Sequence, residues 1–304
     1  MSRMSDEKKK EQKKNNIKGC IVLLGAAVIW GFAFAAQRDG MDHMGPFFFG
    51  AIRMYMGAAV LLPFIIIRRM SGKVKTSGSA KDQKHSLLFG GIVAGTALCV
   101  ATNLQQVALI TEEAGKAGFI TAMYIVLVPV VRAFVFHKKI KPGSWIAVAT
   151  GAVALYLISG MYRTGFSMST GTLLLIGCAF MFTVQILVLD KTAKQCDPLE
   201  ITCIEFLVTA TLTLVPAFMT EQLTVNAFSG ALVPLLYTGL LSSGVAYTLQ
   251  TIGERLAEPE PAAIAMSMES VFSLIGGFII LHETISGPEL AGCALMFAAM
   301  LLAG

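Results

Sequence analysis

Charged side chains are nearly excluded from ten stretches of this 304-residue chain, and that exclusion limits its possible folds more than any other feature. The stretches are about 19–38, 46–67, 86–109, 115–136, 143–161, 170–190, 198–219, 231–252, 261–281 and 287–304. Each is close to the roughly 20 mostly apolar residues that carry a helix across a bilayer. Hydrophobic residues make up 55% of the chain and charged residues 14%, where a soluble domain carries about 25% charged. Mean hydropathy is +0.69. This balance excludes an ordinary water-soluble enzyme and a disordered chain. In lipid every backbone N–H and C=O must bond within its own segment, so the runs predict helices. The alternation of a membrane β-barrel is absent. Pro63, Pro129 and Pro216 lie inside runs, and membrane helices tolerate them.

The charges outside the runs set an orientation. Residues 1–18 form a basic tail, expected to be solvated, ahead of an uncleaved first helix. Counting that tail and every second loop, 19 of the 24 Lys and Arg fall on one side. Arg38, Lys116 and Arg163 fall on the other, and Arg53 and Arg132 sit within runs. Cytoplasmic loops are the Lys/Arg-rich ones, so both termini are expected in the cytoplasm and the membrane is expected to be a bacterial-type plasma membrane. The basic segments suit anionic lipid head groups, and topology explains them without nucleic acid. The six Cys form no C-x-x-C and read as small core residues.

The chain also repeats itself. At a shift of 145, Leu104-Gln105 falls on Leu249-Gln250, Ala117 on Ala262, Met123 on Met268, His137 on His282 and Ile140 on Ile285. At a shift of 152, Pro46 falls on Pro198 and Arg53 on Glu205. Two units of five spans follow, 19–161 and 170–304. Five is odd, so the second unit enters the membrane inverted. Inverted repeats build secondary transporters, with the substrate site near the midplane between the halves.

Several local patterns are similar to one family. They are Trp30-Gly31-Phe32-Ala33-Phe34, Pro46 through Arg53, and Ala114-Gly115-Lys116-Ala117-Gly118-Phe119 with Pro129 beyond. The second half adds Gly244 through Gln250, Met268-Glu269-Ser270-Val271-Phe272, then Glu283 and Gly292. In this order the chain resembles the EamA-type permeases of the drug/metabolite transporter superfamily over about residues 17–304. The resemblance implies ten helices around a central cavity, spans five and ten at the periphery, and movement of small metabolites, often outward and often amino acids. It departs from the family at His282-Glu283, where Gly-Glu is usual, and at Glu205, where Gln is frequent. The loop Glu254 through Glu260 is more acidic than the family pattern.

Charges inside spans are functional candidates, because an unpaired, unwetted charge there costs several kcal/mol. Arg53 and Glu205 each lie seven residues into a span, about 10 Å deep at 1.5 Å per residue. They are candidates for coupling or gating, or else anchor helices. Glu269 falls on Tyr124 under the shift of 145, so symmetry places both on one helix face. There Glu269 would meet a substrate ammonium or carry a coupling proton, or be a neutral acid bonded to a neighbouring helix. Asn103, Gln106, Gln185, Tyr247 and Gln250 are further substrate-binding candidates, or bonds between helices. Trp30 is mid-helix, away from the interfaces that Trp prefers, and an aromatic cavity wall accounts for it; such walls attract organic cations. Lys116 opens the fourth span and could draw in a carboxylate or snorkel. Gly91 and Gly95 form a G-x-x-x-G suited to close helix packing.

Other chemistry is not indicated. There is no phosphate-binding G-x-x-x-x-G-K-[ST], the four His are scattered over loops, and no Ser-His-Asp set shares a face. The reading is a non-enzymatic secondary transporter with no cofactor and no metal, working by alternating access on an amino acid or amine, exporting it with or without proton coupling. The alternatives are an uptake permease or facilitator for a nucleoside, sugar or choline-like solute, and a non-transporting sensor or scaffold. A homodimer is compatible with either.

Overall fold

Pro is the first residue of four helices among the described residues, where its missing N–H costs nothing and its fixed φ favours the helix. These are α2 (Pro46–Met70), α6 (Pro142–Ile158), α9 (Pro198–Thr220) and α13 (Pro259–Ser267). The first half is completed by α1 (Ser2–Met41), α3 (Ala80–Ala108), α4 (Ala114–Thr121), α5 (Tyr124–Phe134) and the single turn α7 (Met161–Thr164). The second half holds α8 (Thr170–Thr192), α10 (Val225–Gly230), α11 (Leu232–Leu236), α12 (Thr248–Leu256), α14 (Glu269–Ile280) and α15 (Gly287–Ala303). Between α11 and α12 lies a π-helical segment, Tyr237–Tyr247. This computed structural model describes residues 2–71, 80–112, 114–158, 161–165, 168–193, 195–280 and 285–303. Among the described residues there is no strand.

Among the described residues, seven helical segments are long and apolar enough to cross a membrane: Glu11–Met41, Pro46–Met70, Ser86–Ala108, Ala117–Phe134, Thr170–Thr192, Pro198–Thr220 and Leu232–Leu256. Pro142–Ile158 and Gly287–Leu302 are apolar but shorter. The protein is therefore all-helical and multi-pass. Helix α1 begins at Ser2 and carries the basic tail as a continuation of the first span. Two expectations need correction. The fourth stretch is not one helix but α4 and α5, and the ninth is α13 and α14. The eighth is interrupted by the π segment, a wider helix that often marks functional sites.

The bundle is assembled across the two halves. α2 packs on α9, α3 on both α8 and α9, and α1 on the π segment, α12, α13 and α14. The pair α6 and α15 packs together around Leu155, Met296 and Ala299. Small residues set the closest approaches. A Cβ on Gly95 would stand 2.8 Å from the Glu205 carbonyl oxygen, so the G-x-x-x-G face of α3 lies directly on α9. A Cβ on Gly19 would stand 2.7 Å from the Cβ of Ala257, where α1 crosses the end of α12. Large apolar side chains such as Phe218, Met219 and Leu301 are exposed on the outside, which suits a lipid-facing surface.

Candidate substrate cavity

The helices enclose a cavity with about 500 Å³ of unfilled space, its mouth included. Trp30 of α1 forms one wall. Its ring meets Tyr247 edge-on at 4.9 Å between centroids, and Tyr247 in turn meets Phe206 at 5.5 Å. The indole N–H donates to the Ser242 carbonyl, 3.2 Å away in the π segment. The Trp30 ring is thus held at its edge by backbone, which leaves apolar ring surface rather than a free donor for a ligand. Phe34 and Phe182 continue this lining.

In the same lining, the Tyr124 hydroxyl donates to Glu269 Oε1 over 3.3 Å. The two residues are 145 apart, the shift of the sequence repeat. Both open a helix just after a break: α4 gives way to α5 at Ala122 and Met123, and α13 to α14 at Met268. At each break the backbone ladder tightens locally to three-residue spacing, Ile125 N–H donating to the Ala122 carbonyl at 3.1 Å and Val271 N–H to the Met268 carbonyl at 3.0 Å. Glu269 is buried, and among the described residues no cation reaches it.

Arg53 faces the same cavity from α2. It is buried, its Nη1 donates to Gln37 Oε1 over 3.0 Å, and its Nε has no partner among the described residues. No described carboxylate reaches it. Its repeat counterpart, Glu205, is built the same way with the opposite charge: Gln185 Nε2 donates to Glu205 Oε1 over 2.7 Å, and Glu205 Oε2 has no hydrogen-bond partner among the described residues. Gln250 joins this group, donating to Gln185 Oε1 at 3.0 Å and to Glu254 Oε1 at 2.9 Å. A buried polar chain therefore runs from the cavity lining at Gln250 to Glu205 and Glu254. Arg53 and Glu205 do not pair with each other.

Residues 17–160 and 169–304 each match the EamA-like transporter family. The chain belongs to this family. An uncharacterized transporter of Archaeoglobus fulgidus is 25% identical over 280 residues, covering 91% of this chain and 82% of that protein. The uncharacterized transporter YoaV of Bacillus subtilis is 22% identical over 283 residues, covering 92% and 94%. A protein of known crystal structure shares the fold with a TM-score of 0.75 at 17% identity, over 95% of this chain and 96% of that one. The protein is accordingly a membrane transporter of EamA type.

Within this EamA-like bundle, Trp30, Arg53, Tyr124, Tyr247, Gln250 and Glu269 all line the one cavity. Gln185 and Glu205 stand one and two hydrogen bonds behind Gln250. Asn103 is placed elsewhere: its amide donates to Thr213 Oγ1 at 2.9 Å, bonding α3 to α9. Gln106 is buried outside the lining, and neither end of its amide has a hydrogen-bond partner among the described residues. The Lys116 side chain, His282 and Glu283 lie outside the described residues. Gln37, Gln105 and Thr121 line the cavity without having been named as candidates. Gln105 carried a signal, as the repeat mate of Gln250, and its Nε2 donates to Thr121 Oγ1 at 3.2 Å. Gln37 carried none, being the polar end of an apolar run.

Proposed function

We propose that this protein is a secondary transporter that moves an amino acid, or a closely related zwitterion, out across a bacterial-type plasma membrane by alternating access. One observation carries the reading. Arg53 and Glu269, a cation and an acid, line the same aromatic-walled cavity, and each lacks a described partner of opposite charge. Unmatched buried charge in a membrane span is costly, so such groups are retained where a ligand matches them. A guanidinium fits a ligand carboxylate, and a carboxylate with a neighbouring phenol fits an ammonium. The rings of Trp30 and Tyr247 add an apolar wall and attraction for the cation.

The ten-span, two-unit arrangement belongs to the same proposal. In it Pro142–Ile158, the α13–α14 pair and Gly287–Ala303 also cross, both termini are cytoplasmic, and residues 19–161 and 170–304 are inverted copies. Support comes from the Tyr124–Glu269 contact. Two positions exchanged by a two-fold axis can touch only where they approach that axis, so the contact supports an axis that passes through the cavity. The Gln37–Arg53 and Gln185–Glu205 bonds each join the first two spans of a half, a looser likeness between the halves because Gln37 and Gln185 are not counterparts at the shift that pairs Arg53 with Glu205. Glu269 is the proposed proton-coupling group, with Glu205 next, and Lys116 the group that draws anionic ligand toward the outer mouth.

A thermal-shift and proteoliposome-flux comparison of an amino acid with its carboxamide tests the substrate class. The wild type is expected to favour the amino acid, and Arg53→Gln to lose that preference while still binding the carboxamide. Equal response of the wild type to both would assign the site to simple amines. Binding without flux would make the protein a sensor.

A further inference from the structure

Four ion pairs between described residues stand at one end of the bundle. Arg68 Nη2 meets Asp197 Oδ2 at 2.9 Å, Arg69 Nε meets Glu200 Oε1 at 2.6 Å, and Lys141 Nζ meets Glu258 Oε2 at 3.4 Å. Arg132 Nη1 pairs with Glu260 Oε2. In each pair the cation comes from the first half of the chain and the acid from the second. The four lie where α2 and α5 end and where α9 and α13 begin. This is the end opposite to Gln37 and Arg53, which both line the cavity.

The pairs differ in weight. Arg69 and Lys141 are largely exposed, and exposed pairs contribute little. Arg132 and Glu260 have side chains only 20% and 5% exposed, so separating them leaves a charge in a poorly wetted place. The N-terminal part of α1 seals the same spot. Asn16 Oδ1 accepts the Glu258 backbone N–H at 3.0 Å, and the Cys20 thiol donates to the Pro261 carbonyl at 3.7 Å. The acidity of the loop before α13 is thereby accounted for: two of its carboxylates hold the cations of the other half.

We infer that these pairs form an ionic latch between the two halves, with Arg132–Glu260 at its centre, which closes the α2-terminal end of the cavity. The inference rests on the alternating-access reading above: the latch is made in the state whose cavity faces the α1-terminal end, and it must part for the opposite state. Ion pairs suit this task because water can solvate both partners once the halves separate, whereas a buried apolar seam would resist opening. The latch is a property of this chain's own charges, arranged as cations in one half and acids in the other.

Cys20 is a built-in reporter, since its thiol is buried against the carbonyl of Pro261, the residue next to Glu260. The test uses a full-length variant that keeps Cys20 and replaces the other five Cys, labelled with a maleimide in proteoliposomes. Glu260→Arg and Arg132→Glu are each expected to speed Cys20 labelling about tenfold or more, the factor that about 1.4 kcal/mol of lost closure would give. The double exchange Arg132→Glu with Glu260→Arg is expected to restore protection to near the parent rate. Should either single reversal fail to fold, the milder Glu260→Gln is expected to give a smaller acceleration in the same direction. Unchanged labelling in Glu260→Gln, or a double exchange no better protected than the single reversals, would overturn the latch. The readout needs no substrate, so a failure of the latch and a failure of the transport reading are separable.

Discussion

Glu269 gains its interest from its neighbours. The Tyr124 phenol donates to it, Trp30 and Tyr247 stand in the same cavity, and no described cation offsets it. A carboxyl group so placed can hold a proton or face a ligand ammonium, but not both, and by linkage each then weakens the other. The sign follows: binding of an ammonium-bearing ligand should weaken as the pH falls. Glu269→Gln keeps the shape but does not titrate, so flux in proteoliposomes is expected to lose its pH dependence. A variant that keeps the wild-type pH profile would move the coupling site to Glu205. Trp30 is the second residue whose role can be separated from packing. Trp30→Phe removes the bond to the Ser242 carbonyl, a net effect of about 0.5–1.5 kcal/mol, and keeps a ring against Tyr247. It is expected to bind ligand nearly as well as the wild type, while Trp30→Ala loses about tenfold or more in affinity at normal expression. Collapse of expression in Trp30→Ala would mark the ring as structural.

Among the elements, the broken helices and the glycine contacts decide the geometry. α4–α5 and α13–α14 break at corresponding positions, and the two residues after the breaks meet in the cavity. The π segment supplies the carbonyl that fixes Trp30. These departures from a straight α-helix cluster at the cavity, which Tyr124, Ser242, Tyr247, Met266 and Glu269 line. The straight parts depend on close approach instead. At Gly95 the neighbouring α9 backbone is too near for any side chain. Gly95→Val is therefore expected to destabilise the protein by about 1–3 kcal/mol through overpacking. Thermal unfolding in detergent should show a lowered Tm, with residual folded protein still binding ligand. A Tm equal to the wild type would mean that α3 and α9 can separate there.

For the molecule as a whole, the distribution of Lys and Arg and the packing across halves make one prediction together. Both termini are expected on the cytoplasmic side, so a periplasmically activated reporter fused after Gly304 should remain silent and a cytoplasmically active one should work. The reverse result would invert the bundle and place the ionic latch outside. The α2–α9 and α6–α15 pairings each join one helix from either half, so neither half has a closed core of its own. Expression of residues 1–161 alone should accordingly give an unstable product.

Apolar runs of membrane length were enough to establish an all-helical, multi-pass protein, because backbone hydrogen bonding in lipid leaves few other folds. Repeat spacing marked Tyr124 and Glu269 as counterpart positions, and the bundle brings their side chains into contact. A mid-helix Trp with no interface to sit in pointed to an interior wall, and Trp30 lines the cavity. Where the runs break was not legible: Met123 and Met268 are ordinary helix residues, and the breaks depend on packing against other spans. Gln37 was invisible for the same reason, since only the crossing of α1 and α2 brings its amide to Arg53. Asn103 and Gln185 look alike in sequence, yet one bonds α3 to α9 and the other backs the cavity. The acidic loop before α13 read as an oddity because its partners, Arg132 and Lys141, are over 110 residues away. Hydropathy and spacing are local or periodic signals, whereas the facing of one helix toward another is a long-range choice that packing of the finished bundle makes.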